Sequence, residues 1–276
     1  MDIFAGYRLE NGIHINPRLS HSGQEGEAAF RRSVAACRHD DYLSAISHHH
    51  SVPVMTREVH RFLRALPKNA VAVDMGGCWG WHWRNLFHQR SDVTMVIVDF
   101  IAENLDHART VLGNQIGRNI HLCVDNACAL GFKDGTFDGY WTVQCFQHIP
   151  AWTQAVGEAH RVLKPGGRFV NHTFNRQRLF EGLARMLGRD YLVEGQTGNY
   201  YLNRDVAAVQ AEIERVFARP AGRRYSEVLF ELGFRAGISA GRDSSAWGAV
   251  DALLTDAGGL FAPVARQVGL EIEKAG

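Results

Sequence analysis

Three apolar segments of the chain each end in an aspartate. Asp74 closes "AVAVD", Asp99 closes "VTMVIVD" and Asp125 closes "NIHLCVD". Gly76, Gly77 and Gly80 follow Asp74, Asn126 follows Asp125, and Gln144 to His148 follow a fourth apolar segment. His172 sits near the end of a fifth. Gathered at one edge, these residues suit a polar, hydroxyl-rich ligand. Glycines let backbone N–H groups and a helix N-terminus face it. Asp99 can accept hydrogen bonds from both hydroxyls of a ribose, and Asp125, with Asn126 beside it, from an adenine amino group. The ligand implied is an adenosine. The G-x-G-x-x-G fingerprint of dinucleotide sites is not met, which disfavours a nicotinamide oxidoreductase. Asp74, ahead of the glycines, suits an amine-bearing or cationic ligand better than a pyrophosphate.

The elements that must bring these residues together alternate in kind. Apolar runs at 70–74, 93–99, 119–125, 137–144 and 168–174 read as strands buried on both faces. Helical stretches separate them: "GWHWRNLFHQR", 102–113 closed by Gly113, and 152–163 with Val156, Ala159, Val162 and Leu163 inward. The alternation predicts an α/β fold, a doubly wound, mostly parallel, seven-stranded sheet flanked by helices. In such a sheet ligands bind beyond the carboxyl ends of the strands. Residues 1 to about 24 read as loosely structured. Helices are expected at 25–38 and after Pro53, the latter with Val59, Phe62, Leu63 and Leu66 on one face. Residues 175–226 read as mostly helical and without a strand. Further strands are expected at 234–240 and 268–275, with short helices near 245–254 and 260–267.

Composition limits the alternatives. The chain has 276 residues, 46% of them hydrophobic, and a net charge of +1, so a sizeable core is available and no broad basic face for nucleic acid is. Its five cysteines form no CxxC pair. No signal-like segment or membrane-length apolar run appears, and the expectation is a cytoplasmic protein with reduced thiols.

Taken together, "VAVDMGGCWG", "VIVDF", "VDNACALGFKDGTFDGYWTVQCFQHIP" and "RVLKPGGRF" resemble the class I, Rossmann-like S-adenosylmethionine-dependent methyltransferases, in their small-molecule branch. The resemblance covers roughly residues 54–174. It implies an N-terminal lid segment at 1–53, an S-adenosylmethionine-binding core at 54–174, a helical insertion after the fifth core strand capping the acceptor at 175–230, and strands and helices completing the sheet at 231–276. Asp74, Gly76, Gly77 and Gly80 match the motif around the methionine part of the cofactor, Asp99 the ribose acid, and Asp125 and Asn126 the pair near the adenine. Gln144 matches the residue that lines the cofactor by its backbone. The family commonly has glycine where this chain has Cys78, so the loop is expected to be slightly displaced.

The expected reaction is transfer of a methyl group to a small-molecule hydroxyl, of the sugar or natural-product kind, leaving S-adenosylhomocysteine. An alcohol acceptor needs a base, and histidine fits. The resemblance puts that base at His148, with His172 as a second or alternative one. Tyr42 and the "SHHHS" segment at 47–51 are assigned to the lid, with Tyr42 lining the cofactor and no metal assigned. Tyr200 and Tyr201, with Tyr191 nearby, are candidates for the acceptor pocket, and Trp79, Trp81 and Trp83 are expected mainly to pack. Transfer to nitrogen or carbon without a histidine base, and a non-catalytic cofactor-binding protein, remain alternatives. The expected partner is the small-molecule acceptor, with no nucleic acid or membrane; a homo-oligomer is compatible with the sequence.

Overall fold

The computed structural model describes residues 3–37, 39–47, 49–175, 177–188, 206–230 and 246–276. Among these, nine strands form one sheet in the order β1-β2-β5-β4-β3-β6-β7-β9-β8. The strands are β1 (Arg8–Glu10), β2 (Ile13–Ile15), β3 (Val71–Met75), β4 (Thr94–Asp99), β5 (Ile120–Val124), β6 (Phe137–Val143), β7 (Leu163–Phe174), β8 (Gly222–Ser226) and β9 (Gln267–Glu273). The run from β2 to β7 is parallel, whereas β1, β9 and β8 pair antiparallel.

Nine strands among the described residues replace the seven expected, and three of them, β1, β2 and β8, come from two segments read as strandless. Residues 8–15 form a hairpin whose second strand pairs with β5, Ile13 opposite Leu122. Residues 222–226, placed in the helical insertion, form edge strand β8 on β9. All three strands are short, and β1 and β8 at the sheet edges are polar, whereas β2 buries Ile13. The expected strand at 234–240 lies outside the described residues, as do Tyr191, Tyr200, Tyr201 and His48.

The helices are α1 (Glu25–Ala35), α2 (Tyr42–Ser47), α3 (Val52–Ala65), α4 (Leu86–Gln89), α5 (Ala102–Leu112), α6 (Trp152–Val162), α7 (Arg178–Met186), α8 (Val206–Phe217) and α9 (Ala246–Leu254). Two apolar layers cover the sheet. In one, Met55, Val59, Phe62 and Leu63 of α3 and Leu105, Ala108 and Leu112 of α5 pack with Trp83 and Trp141. In the other, Ala155, Val156, Ala159 and Val162 of α6 pack with Val209, Ile213 and Phe217 of α8. Thus α8, within the segment expected to cap the acceptor, extends the core beside α6.

The long helix expected after the glycine loop is broken. Gly80 sits at φ +65°, Trp81–Trp83 form a single 3₁₀ turn, and α4 has only four residues. The break lets Trp83 turn fully inward, 0% exposed.

From β3 the chain steps to β4 and β5 on one side, then returns to β6 on the other. The crevice at that reversal, outside the carboxyl ends of the strands, is the place where such sheets hold ligands.

Candidate active site

A cavity of about 440 Å³ opens at this reversal. Its wall includes Asp74, Gly76, Gly77, Asp99, Asp125, Asn126, Gln144 and His148 of the residues expected from the sequence, and its size suits a nucleoside-sized ligand. Gly80, Tyr42 and His172 are not in that wall.

Asp74 is buried in the wall at 1% exposure. Its Oδ2 accepts a hydrogen bond from Trp83 Nε1 at 2.7 Å. Burial pushes its carboxyl up to about 7, with the Trp83 N–H opposing and Asp99 adding to the rise. Trp83, expected only to pack, therefore also holds the acid in place. The loop that follows is drawn tight, Gly76 N–H and Gly77 N–H both donating to Val98 O, at 2.8 and 3.1 Å. A Cβ on Gly77 would sit 2.6 Å from Asp74 Oδ2 and 2.7 Å from Ile97 Cγ2. Gly80 serves packing, since a Cβ there would meet Leu112 Cδ1 at 2.7 Å.

Cys78, where the family commonly has glycine, lies at φ +49°. The backbone there keeps the left-handed shape glycine favours, and its N–H donates to Asp99 Oδ2 at 3.1 Å. Asp99 Oδ1 accepts from Ile101 N–H at 2.9 Å and from Asn104 Nδ2 at 3.2 Å. Burial raises the Asp99 pKa, against the pull of these donors and of Arg31. The carboxylate is thus oriented by three donors while remaining in the cavity wall.

Asp125 differs from its expected role. Its Oδ2 accepts from the Tyr7 hydroxyl and from Gly131 N–H at 2.9 Å, and its Oδ1 from Asn16 Nδ2 at 2.7 Å and Asn126 N–H at 2.8 Å. A carboxylate offers about four lone-pair sites, and the protein's own donors take them all. Asp125 therefore braces the wall and has no lone pair left for an adenine amino group. Asn126 Oδ1 accepts from Cys128 N–H at 3.0 Å, and its Nδ2 donates to Ser20 O at 3.0 Å.

The lid takes a form the sequence only outlined. Gln24, just ahead of α1, and Glu27, Phe30, Arg31 and Val34 of that helix line the cavity. Glu27 Oε1 accepts from Arg31 Nε at 2.7 Å and lies 3.6 Å from His148 Nδ1. Their four-residue spacing on a helix was the available signal for the Glu27–Arg31 pair. Tyr42 latches the lid from outside the cavity. His107 Nε2 lies 2.7 Å from Ala35 O, which makes Nε2 its donor, so the Tyr42 hydroxyl donates to His107 Nδ1 at 2.7 Å.

His148 ends the 3₁₀ turn Phe146–His148 that follows β6. Gln144, at φ +50°, has a buried Nε2 without a hydrogen-bond partner among the described residues. His172, on β7, packs its ring 4.8 Å from Trp141, and neither ring nitrogen has a partner among the described residues. Burial lowers its pKa to about 3, so the ring is neutral, beneath the site rather than in its wall. His49, His50, Trp81 and His82 form the cavity wall at another point, and only membership of the lid had been expected of His49 and His50.

Residues 73–171 match the family described as a methyltransferase domain. Over 96 residues the chain is 31% identical to the ubiquinone/menaquinone biosynthesis C-methyltransferase of Rickettsia prowazekii, covering 34% of this chain and 38% of that protein. Over 131 residues it is 28% identical to 24-methylenesterol C-methyltransferase 2 of Oryza sativa subsp. japonica, covering 47% of this chain and 36% of that protein. The chain thus spans less than half the length of these curated relatives. Its fold superposes on a SAM dependent methyltransferase from Aquifex aeolicus with a TM-score of 0.53 and 13% identity, covering 84% of this chain and 97% of that one, a likeness of fold.

Proposed function

We propose, for a chain whose residues 73–171 belong to the class I S-adenosylmethionine-dependent methyltransferases, that the whole protein moves a methyl group to a small-molecule acceptor. The observation that carries this is the pairing of Asp74 and Asp99 in one cavity at the strand reversal. Asp74, buried with a carboxyl that ionises near neutral pH, is fitted to an ammonium group, which would supply its missing counter-charge. Asp99 is fitted to ribose hydroxyls. Gly77, where a Cβ would collide with Asp74 Oδ2, keeps the loop close against that carboxyl, and Gln144 Nε2 offers an uncommitted donor. When bound, S-adenosylmethionine supplies an electrophilic methyl on a sulfonium sulfur, which leaves with the C–S electron pair as a thioether. The protein's part is to align acceptor and methyl, exclude water and take a proton.

The acceptor we favour carries an ionisable hydroxyl, methylated at that oxygen, and a cavity histidine takes its proton. His148, the base read from the sequence, supports this by lining the cavity next to Glu27. Transfer to carbon is a second reading, favoured by the C-methyltransferase names of the curated relatives. Removing a phenol's proton also activates a neighbouring ring carbon, so the same base would serve that acceptor; transfer to an alkene carbon needs no histidine base. Titration calorimetry tests the core of the proposal. Saturable binding of S-adenosylmethionine and S-adenosylhomocysteine, with no heat from NAD, is expected; binding of NAD alone would overturn it.

A further inference from the structure

Helix α7, Arg178 to Met186, has no buried residue. Phe180, Glu181 and Ala184, half-buried, mark the side turned to the protein. The side turned to solvent is apolar. Leu179, Leu183 and Met186 follow one another at four and three residues and so form one stripe, which Leu187 widens just past the helix end. All four are exposed among the described residues, Met186 at 83% and Leu187 at 72%. A helix on a globular protein ordinarily turns such a stripe toward the core.

Charge is sorted on the same surface. Arg178 and Arg185, seven residues apart, share a line along the border of the stripe, and both are exposed. The one acid of the helix, Glu181, is on the half-buried side. From Arg176 to Arg189 the sequence carries four arginines and that single acid. An apolar stripe bordered by arginines matches the boundary of an anionic bilayer, where leucine and methionine side chains enter the acyl region and guanidinium groups stay with the headgroup phosphates. The flank of a single helix is convex, which suits a deformable lipid surface better than the shaped contact of a protein partner.

The helix is firmly rooted beside the cavity. Leu179 N–H donates to Pro263 O at 3.1 Å, Asn175 Nδ2 donates to Ala262 O and Ala265 O at 2.7 and 2.8 Å, and Gln177 Nε2 donates to Val264 O at 2.8 Å. Leu260, three residues before Pro263, is also exposed and adds apolar surface near that root. Arg266, at the other end of the same loop, donates from Nη1 to His49 O at 2.7 Å, and His49 is part of the cavity wall.

We propose that α7 is an interfacial helix, and that its exposed face, Leu179, Leu183, Met186 and Leu187 with Arg178 and Arg185, docks the protein on a bilayer surface containing anionic lipid. No helix among the described residues is long and apolar enough to cross a membrane, and this mode of binding needs none, because the helix lies in the plane of the interface. The expectation of no membrane partner came from the lack of a spanning run, which does not bear on a surface helix. The docking is independent of the methyltransferase reading.

The test is co-sedimentation of the full chain with vesicles, one set of phosphatidylcholine alone and one of equal parts phosphatidylcholine and phosphatidylglycerol. The protein is expected to partition onto the mixed vesicles about 10-fold or more above phosphatidylcholine alone, and less so as salt rises. Met186→Glu and Leu187→Glu should each weaken that partitioning by roughly 10-fold. Arg178→Gln with Arg185→Gln should bring the mixed vesicles down to the level of phosphatidylcholine alone. All four positions are exposed, so thermal unfolding of the variants should match the wild type. Absence of binding to the mixed vesicles, equal binding to both sets, or full binding by both glutamate variants would overturn the proposal. A dimer in analytical ultracentrifugation that Met186→Glu dissolves, without vesicle binding, would overturn it in favour of a second copy of this chain.

Discussion

Replacing Asp74 by asparagine should make the cofactor-free protein more stable at neutral and higher pH while weakening its hold on the cofactor. The carboxyl of Asp74 titrates at about 7 in the folded chain against its usual 3.8, with burial as the main cause. The folded state therefore binds that proton more tightly than the unfolded state. This stability is present in full below the unfolded value near 4 and is lost as pH rises through 7. A shift of about three units at ~1.36 kcal/mol each sets a ceiling of about 4 kcal/mol. Asparagine keeps an oxygen for the Trp83 N–H and has nothing to ionise. Thermal unfolding of both proteins from pH 5 to 8.5 checks this. The variant should gain on the wild type as pH rises, by up to roughly 10 °C at the top of the range. Asp251, also raised to about 7 by burial, titrates in both proteins, so the readout is the difference between them. With S-adenosylmethionine at saturation the wild type should recover most of the gap, because the ligand's ammonium supplies the missing counter-charge. Parallel pH profiles for the two proteins would refute the assignment of the proton to Asp74.

Asp99→Asn should raise the dissociation constant for S-adenosylhomocysteine by about 10-fold to 100-fold, the cost of losing charged hydrogen bonds to ribose, measured by calorimetry. Tyr7→Phe removes one of the four donors to Asp125 and should cost about 1–3 kcal/mol in urea unfolding. Cys78→Gly relieves a left-handed residue and should be neutral or stabilising by up to ~1 kcal/mol, with cofactor affinity unchanged in the same calorimeter. Gly139→Ala puts a Cβ 2.7 Å from Phe62 Cζ and Leu66 Cδ2, and overpacking of α3 on β6 should cost about 1–3 kcal/mol in the same unfolding assay.

The parallel core of the sheet was legible because its strands are buried on both faces and so read as unbroken apolar runs, each stopping at its edge residue. Asp74, Asp99 and Asp125 could be aligned on one edge from that pattern alone. The hairpin at 8–15 and strand β8 were not legible, because β1 and β2 have three residues each and β8 is polar, too short or too polar a stretch to show the hydrophobic pattern that marks a strand. The helix expected after Gly80 failed for a different reason. Its sequence favours helix, but tertiary burial of Trp83 against Asp74 breaks it. Partnerships between distant residues left no trace in spacing. Asp125 finds Tyr7 and Asn16, and Ser51 finds Glu227 across a sequence separation of 176. For that reason Asp125 was read as a ligand contact although its own protein satisfies it.

The hairpin that satisfies Asp125 also ties the nucleoside wall to the order in which the chain assembles. Tyr7 and Asn16 reach Asp125 across sequence separations of 118 and 109 residues, and β2 pairs with a strand made equally late. Closing so long a loop is slow, since its entropy is lost before its contacts form. The central strands can therefore come together around β3 while the carboxylate of Asp125 still lacks two of its four donors. Docking of the hairpin completes that wall, which makes the capacity to bind a nucleoside a late event in maturation of the fold.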